Sequence, residues 1–420
     1  MTSLQRTLLC LALVTGCSSD KDSKSDADPI NSGEDGGDNG GTAATDLVDG
    51  CKGQKLREGI PDELTEDGPW PVGSITTMLG GVETEVWYPA KQGSEVGKDK
   101  VVYDMREHLP DADATKIPDE HVPTHFCNCY GKLPLDEEAG PYPVLLFVHG
   151  TAGFRTTNVD NMSHWASRGF VVIAADHPNI QLKDLLGAAS SGNVGAGMGA
   201  GGGQAPEARA MLAEIAETKG DVAFLKGHID MEKVGVMGHS AGGGAVSSLG
   251  DIADVVIVYA AGQAVTEASR AKSYLSVMGA TDGVAGGSAS GYEGTTIAKR
   301  RFVSIAKGGH LVGGNLCTMR DPADPMKDIV DLAEEYKLGG LLGNIPGALR
   351  ALFGRLFDGC NDLPEGDDPF IPALRGIEVM NHVSTGVFEE ALHCSDAAKG
   401  LSETPKTFGA DVADYQEIVP

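Results

Sequence analysis

The sequence predicts an α/β protein: a mostly parallel eight-stranded sheet with helices on both faces. Three observations carry that expectation. Apolar runs of strand length recur from Pro141 onward, amphipathic stretches of helical period alternate with them, and turn-forming or chemically versatile residues gather where the runs end. Strands that alternate with helices pair in parallel, and their sheet is then covered on both faces.

The chain opens with "MTSLQRTLLCLALVTGC", in which Arg6 precedes an apolar run from Leu8 to Val14 and small residues lead to Cys17. This is the build of a secretory signal peptide, residues 1–16, and its run is too short to span a bilayer. "LVTGC" resembles the lipobox of bacterial lipoproteins, which implies cleavage before Cys17 and a diacylglyceryl group on its thiol. Ser18 after that cysteine resembles an outer-membrane sorting position. Residues 17–50 hold almost no large apolar side chains, so they cannot offset their ordering entropy and read as a flexible acidic tether. No calcium loop closes on a glutamate there.

The remaining stretch, residues 51–420, is of a length expected for one α/β enzyme core with additions. Sixty acidic against 33 basic residues give a formal charge of −27, which argues against nucleic-acid binding and against adsorption to anionic head groups. Membrane association is therefore expected through the lipid anchor.

Along this domain, "GSITTML" and "TEVWYPA" supply two antiparallel strands, and a cysteine-containing insertion at 91–140 follows. The core, 141–320, begins with the buried strand "YPVLLFVHG", the amphipathic helix "NMSHWASRGF" and the strand "FVVIAADHP". Residues 187–203 are glycine-rich and read as a long loop, with Gly195–Gly203 a candidate lid. A helix opens at Pro206 and Glu207 in "PEARAMLAEIAETKGDVAFLK". The strand "KVGVMGHS", the helix "AGGGAVSSLG" and the strands "DVVIVYAAG", "SYLSVMGATD" and "RRFVSIAKGGH" complete the series. Residues 321–420 form an additional C-terminal helical layer, with amphipathic helices in "MKDIVDLAEEYKLGGLLGNIPGALRALFGRLF" and "FIPALRGIEVMNHVSTGVFEEALHC".

Six cysteines remain after Cys10 and Cys17: Cys51, Cys127, Cys129, Cys317, Cys360 and Cys394. An even set in an exported chain favours three disulfides, with the connectivity open. The competing reading places zinc on His121, His125, Cys127 and Cys129, although Pro123 opposes the helix that would join the two histidines.

Gly238, Ser240 and Gly242 fall in G-x-S-x-G spacing between a predicted strand and a predicted helix. In that context the glycines permit a tight turn that lifts the serine hydroxyl above the sheet edge. A serine hydroxyl needs a base, and the base needs a carboxylate to fix its tautomer. Asp282 and His310 end the later strands in the order Ser, Asp, His, with Asp251 and Asp254 as alternative carboxylates. His149 reads as a structural hydrogen-bonder and His239 as a filler of the variable position before the serine. His177 is assigned either to the pocket lining or to core or surface duty.

The pieces "LLFVHGTAG", "HWASRGFVVIAADH", "GHSAGGGAV", "GATD" and "KGGH" resemble the α/β-hydrolase superfamily. The resemblance is to the branch of dienelactone hydrolases, platelet-activating-factor acetylhydrolase-like lipases and cutinase-like polyesterases. It covers about residues 141–312 and implies Ser240 as nucleophile, His310 as general base and acid, and Asp282 as orienting carboxylate. It also implies an oxyanion hole from the N–H groups of Thr151 and Ala241. A serine hydrolase of small or polymeric carboxylic esters is thus expected, with no cofactor and no metal. An amidase on the same triad and a non-catalytic surface binding protein retaining the fold are the alternatives. The anchor has its own test: Cys17→Ala is expected to abolish lipidation and membrane fractionation, read by mass spectrometry of the mature N-terminus. An unlipidated parent that fractionates identically would sink it.

Overall fold

The computed structural model describes residues 59–191, 203–265, 268–340, 342–345, 347 and 370–420. The leader, the tether, Cys17, Cys51, Cys360, nearly all of the candidate lid and much of the first C-terminal helix candidate lie outside the described residues.

All eight predicted strands form, and three more join them in one eleven-stranded sheet. Strands β1 (Val72–Leu79) and β2 (Val82–Pro89) make a hairpin through Gly80 and Gly81, both at positive φ, where a side chain would be strained. The 91–140 insertion is not merely a surface excursion, because β3 (Lys100–Asp104) and β4 (Thr124–Gly131) extend the sheet beyond β1. The parallel centre consists of β5 (Tyr142–Val148), β6 (Val171–Ala175), β7 (Ile229–His239), β8 (Val255–Tyr259), β9 (Ser273–Gly279) and β10 (Lys299–Ile305). A small ribbon, β11 (Arg320–Asp321) with β12 (Asp324–Asp328), stands apart. Strand β13 (Val412–Ile418) returns from the C-terminal layer and pairs antiparallel with β10.

Alternation along the central strands sorts the core. On β5, Leu145 and Phe147 face one helical layer while Val144, Leu146 and Val148 face the other, as a period of two requires. The first layer holds α1 (Val159–Ser167), whose Met162 and Trp165 are fully buried. Next in the chain comes α2 (Leu182–Ser190), which occupies the start of the stretch expected as loop, because Leu182, Leu185 and Leu186 bury one apolar face despite Gly187. The second layer holds α3 (Gln204–Glu217) and α4 (Ala241–Val246). The predicted helix at 206–226 stops at Thr218, which sits in the left-handed region just before Gly220. In the C-terminal region, α5 (Ile329–Glu335) is capped by Asp328, and α6 (Ala373–Phe388) packs Val379, Met380, Val383 and Phe388 on the first face.

A third apolar cluster lies over the carboxyl ends of the central strands. It gathers Met105 and Leu109 of the insertion, Phe154, Leu185 of α2, Leu311 and Ile329 of α5. The insertion and the C-terminal region thus share a small core that covers this edge.

Cys127 and Cys129, two residues apart on β4, are bonded to each other, and Cys317 and Cys394 are also in disulfides. The zinc arrangement is not assembled. His121 pairs through Nδ1 with Asp321 at 2.9 Å, and His125 donates Nε2–H to Asn315 O at 3.3 Å. Burial holds the His125 pKa down to about 4.

Two buried ion pairs hold the C-terminal layer, one to the end of α1 and one to the sheet. Arg168, after α1, donates to both oxygens of Glu389 at 2.6 and 3.2 Å and also to the carbonyls of Pro61 and Glu63. Arg301 of β10 grips Glu390 at 2.8 and 3.3 Å, and Lys299 adds a 3.0 Å contact. Removing one member of such a pair leaves the other charge buried and uncompensated. Arg168→Met is accordingly expected to cost roughly 3–5 kcal/mol, measured by denaturant unfolding, more than loss of an exposed ion pair such as Lys406 with Glu403.

Candidate active site

The turn from β7 into α4 has no room for side chains at Gly238 of the strand or Gly242 of the helix. A Cβ on Gly238 would lie 2.2 Å from Gly242 O, and one on Gly242 would lie 2.1 Å from Val148 O. The backbone therefore turns from β7 into α4 in direct contact with β5. Ser240, at the corner, takes φ 54° and ψ −116°, a strained conformation held by its N–H to Tyr259 O at 2.9 Å and by Gly244 N–H to its own carbonyl at 3.1 Å.

The structure brings the three predicted residues together. Ser240 Oγ donates toward His310 Nε2 at 3.0 Å, and His310 Nδ1–H donates to Asp282 Oδ2 at 2.9 Å. The other carboxylate oxygen, Oδ1, accepts the N–H groups of Val284 and Ala285, each at 2.8 Å. Burial pushes the Asp282 carboxyl up, but the His310 hydrogen bond and charge together with those N–H groups outweigh it and hold the pKa below the ordinary value. Asp251 and Asp254 are engaged elsewhere: Asp251 with Arg209, and Asp254, at the opposite end of β8, with Arg270, Lys272 and the N–H of Val234.

Ala241 is the first residue of α4, so its N–H has no acceptor within the helix and remains available at the site. Thr151 follows β5 in a loop that is pinned from several sides. Ala152 N–H donates to Ile180 O, Gly153 N–H to Gly150 O, and Gln204 Nε2 of α3 to His149 O. Arg155 fixes the far end of this loop. Its N–H donates to Asp176 Oδ1 at 2.6 Å and its guanidinium to Asp176 Oδ2, while His108 stands 3.5 Å from the same carboxylate. Burial works against the ionised Asp176, yet His108 and Arg155 drive its pKa far below the ordinary value.

The remaining histidines have definite duties. His149 donates Nδ1–H to Gly150 O and accepts His177 N–H at Nε2, as a structural hydrogen-bonder should. Burial, reinforced by nearby His177, holds its pKa down to about 3, so it stays neutral. His177 is fully buried beneath this loop, with Nδ1 2.7 Å from Glu207. His239 is more than filler: it is 9% exposed and its Nε2–H donates to the His310 carbonyl at 2.9 Å. Sequence reasoning missed this role and the Arg155–Asp176 pair. The charged pair had a signal, a lone arginine inside an apolar loop region with an aspartate just past "VVIAA".

Residues 66–181 match the family model described as platelet-activating factor acetylhydrolase, isoform II. The match runs from before β1 to the start of α2 and includes the Thr151 loop. It bears out the resemblance to the α/β-hydrolase superfamily and its acetylhydrolase-like branch, and it supports a hydrolase acting on esters. No curated protein matches the chain.

The tight glycine contacts have a direct check. Gly242→Ala is expected to cost at least about 1–3 kcal/mol in chemical denaturation, because β5 backbone rather than a flexible side chain opposes the methyl group. Wild-type stability would mean that the β5–α4 approach is looser than described.

Proposed function

We propose that the protein is a serine hydrolase that cleaves carboxylic esters through an acyl-enzyme, exported and held at the outer membrane by lipid on Cys17. The single observation that carries the chemistry is the continuous chain of hydrogen bonds Ser240–His310–Asp282, with heavy-atom distances of 3.0 and 2.9 Å. The family match over residues 66–181 supports ester rather than amide substrates.

As the Ser240 oxygen attacks the ester carbonyl, its proton passes to His310 Nε2, and the C–O π bond becomes an oxyanion. Asp282 remains ionised and stabilises the imidazolium through Nδ1–H. The N–H groups of Ala241 and Thr151 receive the oxyanion, whose charge is absent from the ground-state ester, so that their stabilisation lowers the barrier rather than merely tightening binding. Collapse breaks the bond to the alkoxide, which leaves with the proton from His310. Water then repeats the sequence on the acyl-serine, releasing the acid and restoring Ser240.

Ser240→Ala, His310→Ala and Asp282→Ala are each expected to lower kcat on short-chain p-nitrophenyl esters by roughly 10⁴- to 10⁶-fold with folding retained. Combining them adds little, because the three act as a unit. A fluorophosphonate should label the parent and not Ser240→Ala. Near-full activity in His310→Ala would overturn the assignment.

A further inference from the structure

We infer that His239, through its Nε2–H to the His310 carbonyl, is the positioning residue that holds the general-base loop and the oxyanion loop in one register. This rests on the triad reading above.

Three contacts converge on this ring. The first is the 2.9 Å hydrogen bond to His310 O, in which the carbonyl can only accept, so the proton of His239 sits on Nε2. The second is the approach of Gly150, where a Cβ would come within 2.8 Å of His239 Nδ1, so the backbone immediately before Thr151 packs on the ring itself. The third is the Tyr259 ring, 4.6 Å away between centroids, whose hydroxyl donates to Val312 O two residues beyond His310. His239 therefore touches both moving parts of the proposed chemistry from a fixed place at the end of β7.

Other links between the two loops lie beside this one, in the apolar cluster that holds Phe154 and Leu311. A cavity of about 20 Å³, lined by Thr151, Asn158, His239, Tyr259, Leu311 and Gly314, separates the two loops. They also meet where Asn158 Nδ2 donates to Gly313 O at 3.5 Å and where Asn315 N–H donates to Thr157 O. Next to the reacting atoms the His239 ring adds a polar link, touching Gly150 on one side and His310 O on the other. Its character suits the task, since burial and then the nearby His310 hold its pKa down to about 3. It stays neutral, keeps its donor and adds no second positive charge beside the His310 imidazolium, whose ring lies 5.0 Å away.

Three substitutions separate the donor from the bulk. Glutamine places an amide N–H close to the Nε2 position, asparagine places one at the Nδ1 position, and leucine offers neither. The variants are compared by kcat and KM on a p-nitrophenyl ester, by fluorophosphonate inactivation rate and by thermal melting, with Ser240→Ala as the control. His239→Leu and His239→Asn are expected to lose roughly 10²-fold in kcat, as displacement of a catalytic group by about 1 Å can cost, with KM changed less than about twofold. His239→Gln is expected to recover most of that loss. Equal loss in the glutamine and asparagine variants at similar melting temperature overturns the inference, as does full kcat in His239→Leu. If His239→Leu fails to fold, the glutamine–asparagine pair still decides. Failure of the triad reading looks different: Ser240→Ala would then be as active as the parent, whatever the His239 variants do.

Discussion

The architecture depends on one constraint, the contact of bare backbone between β5, β7 and α4. Val148 O stands where any side chain on Gly242 would have to go, and Gly242 O stands where one on Gly238 would. This proximity forces the chain to reverse at Ser240 in a conformation that a β-carbon resists, and the reversal lifts the hydroxyl out of the sheet plane. The parallel register then sets the other ends beside it. Gly238 pairs with Val148 on one side and Val258 on the other, so the loops after β5 and β8 start level with the serine. The partner histidine arrives from β10, whose Ile305 is in register with Gly279 at the end of β9, the strand that delivers Asp282.

Among the described residues, the buried arginines are paired with carboxylates. Arg155 and Asp176 are both below a tenth exposed and are paired with each other, with His108 close to the same carboxylate. Arg168 with Glu389 and Arg301 with Glu390 repeat the arrangement beneath α6. Pairs of this kind seldom add net stability over apolar side chains, but they penalise any arrangement that separates them. Their value here is positional. One pair fixes the loop after β5, another ties the segment after α6 to the end of α1, and the third ties it to β10, the strand that leads to His310.

The central strands were legible because each is an unbroken apolar run, the pattern that burial on two faces demands. The three strands of the large sheet that sequence reading missed are those with mixed burial. β13 exposes Asp414 and Glu417, β3 is half covered, and β4 alternates buried Cys127 and Cys129 with exposed Phe126. Such segments join a sheet by pairing rather than by hydrophobicity, and pairing partners are not written locally. The site divides in the same way. Ser240, Asp282 and His310 were legible from motif, strand ends and chain order. His239 was not, because its partner is a backbone carbonyl 71 residues later and nothing in either local sequence marks it.

The return of β13 to the sheet also governs the order in which the molecule can be completed. Arg300 pairs with Ile418 and Ile305 with Val412, so β10 gains its outer neighbour only after the intervening α5 and α6 have been made and threaded past it. Contacts so distant along the chain are slow to close, since the loop entropy must be met before the pairing rewards it. Until then β10 presents an open edge, and the strand that leads to His310 is the last of the parallel set to be enclosed. Closure of the sheet at β10 is thus a late event relative to synthesis of the core strands, set by the sequence distance between β10 and β13.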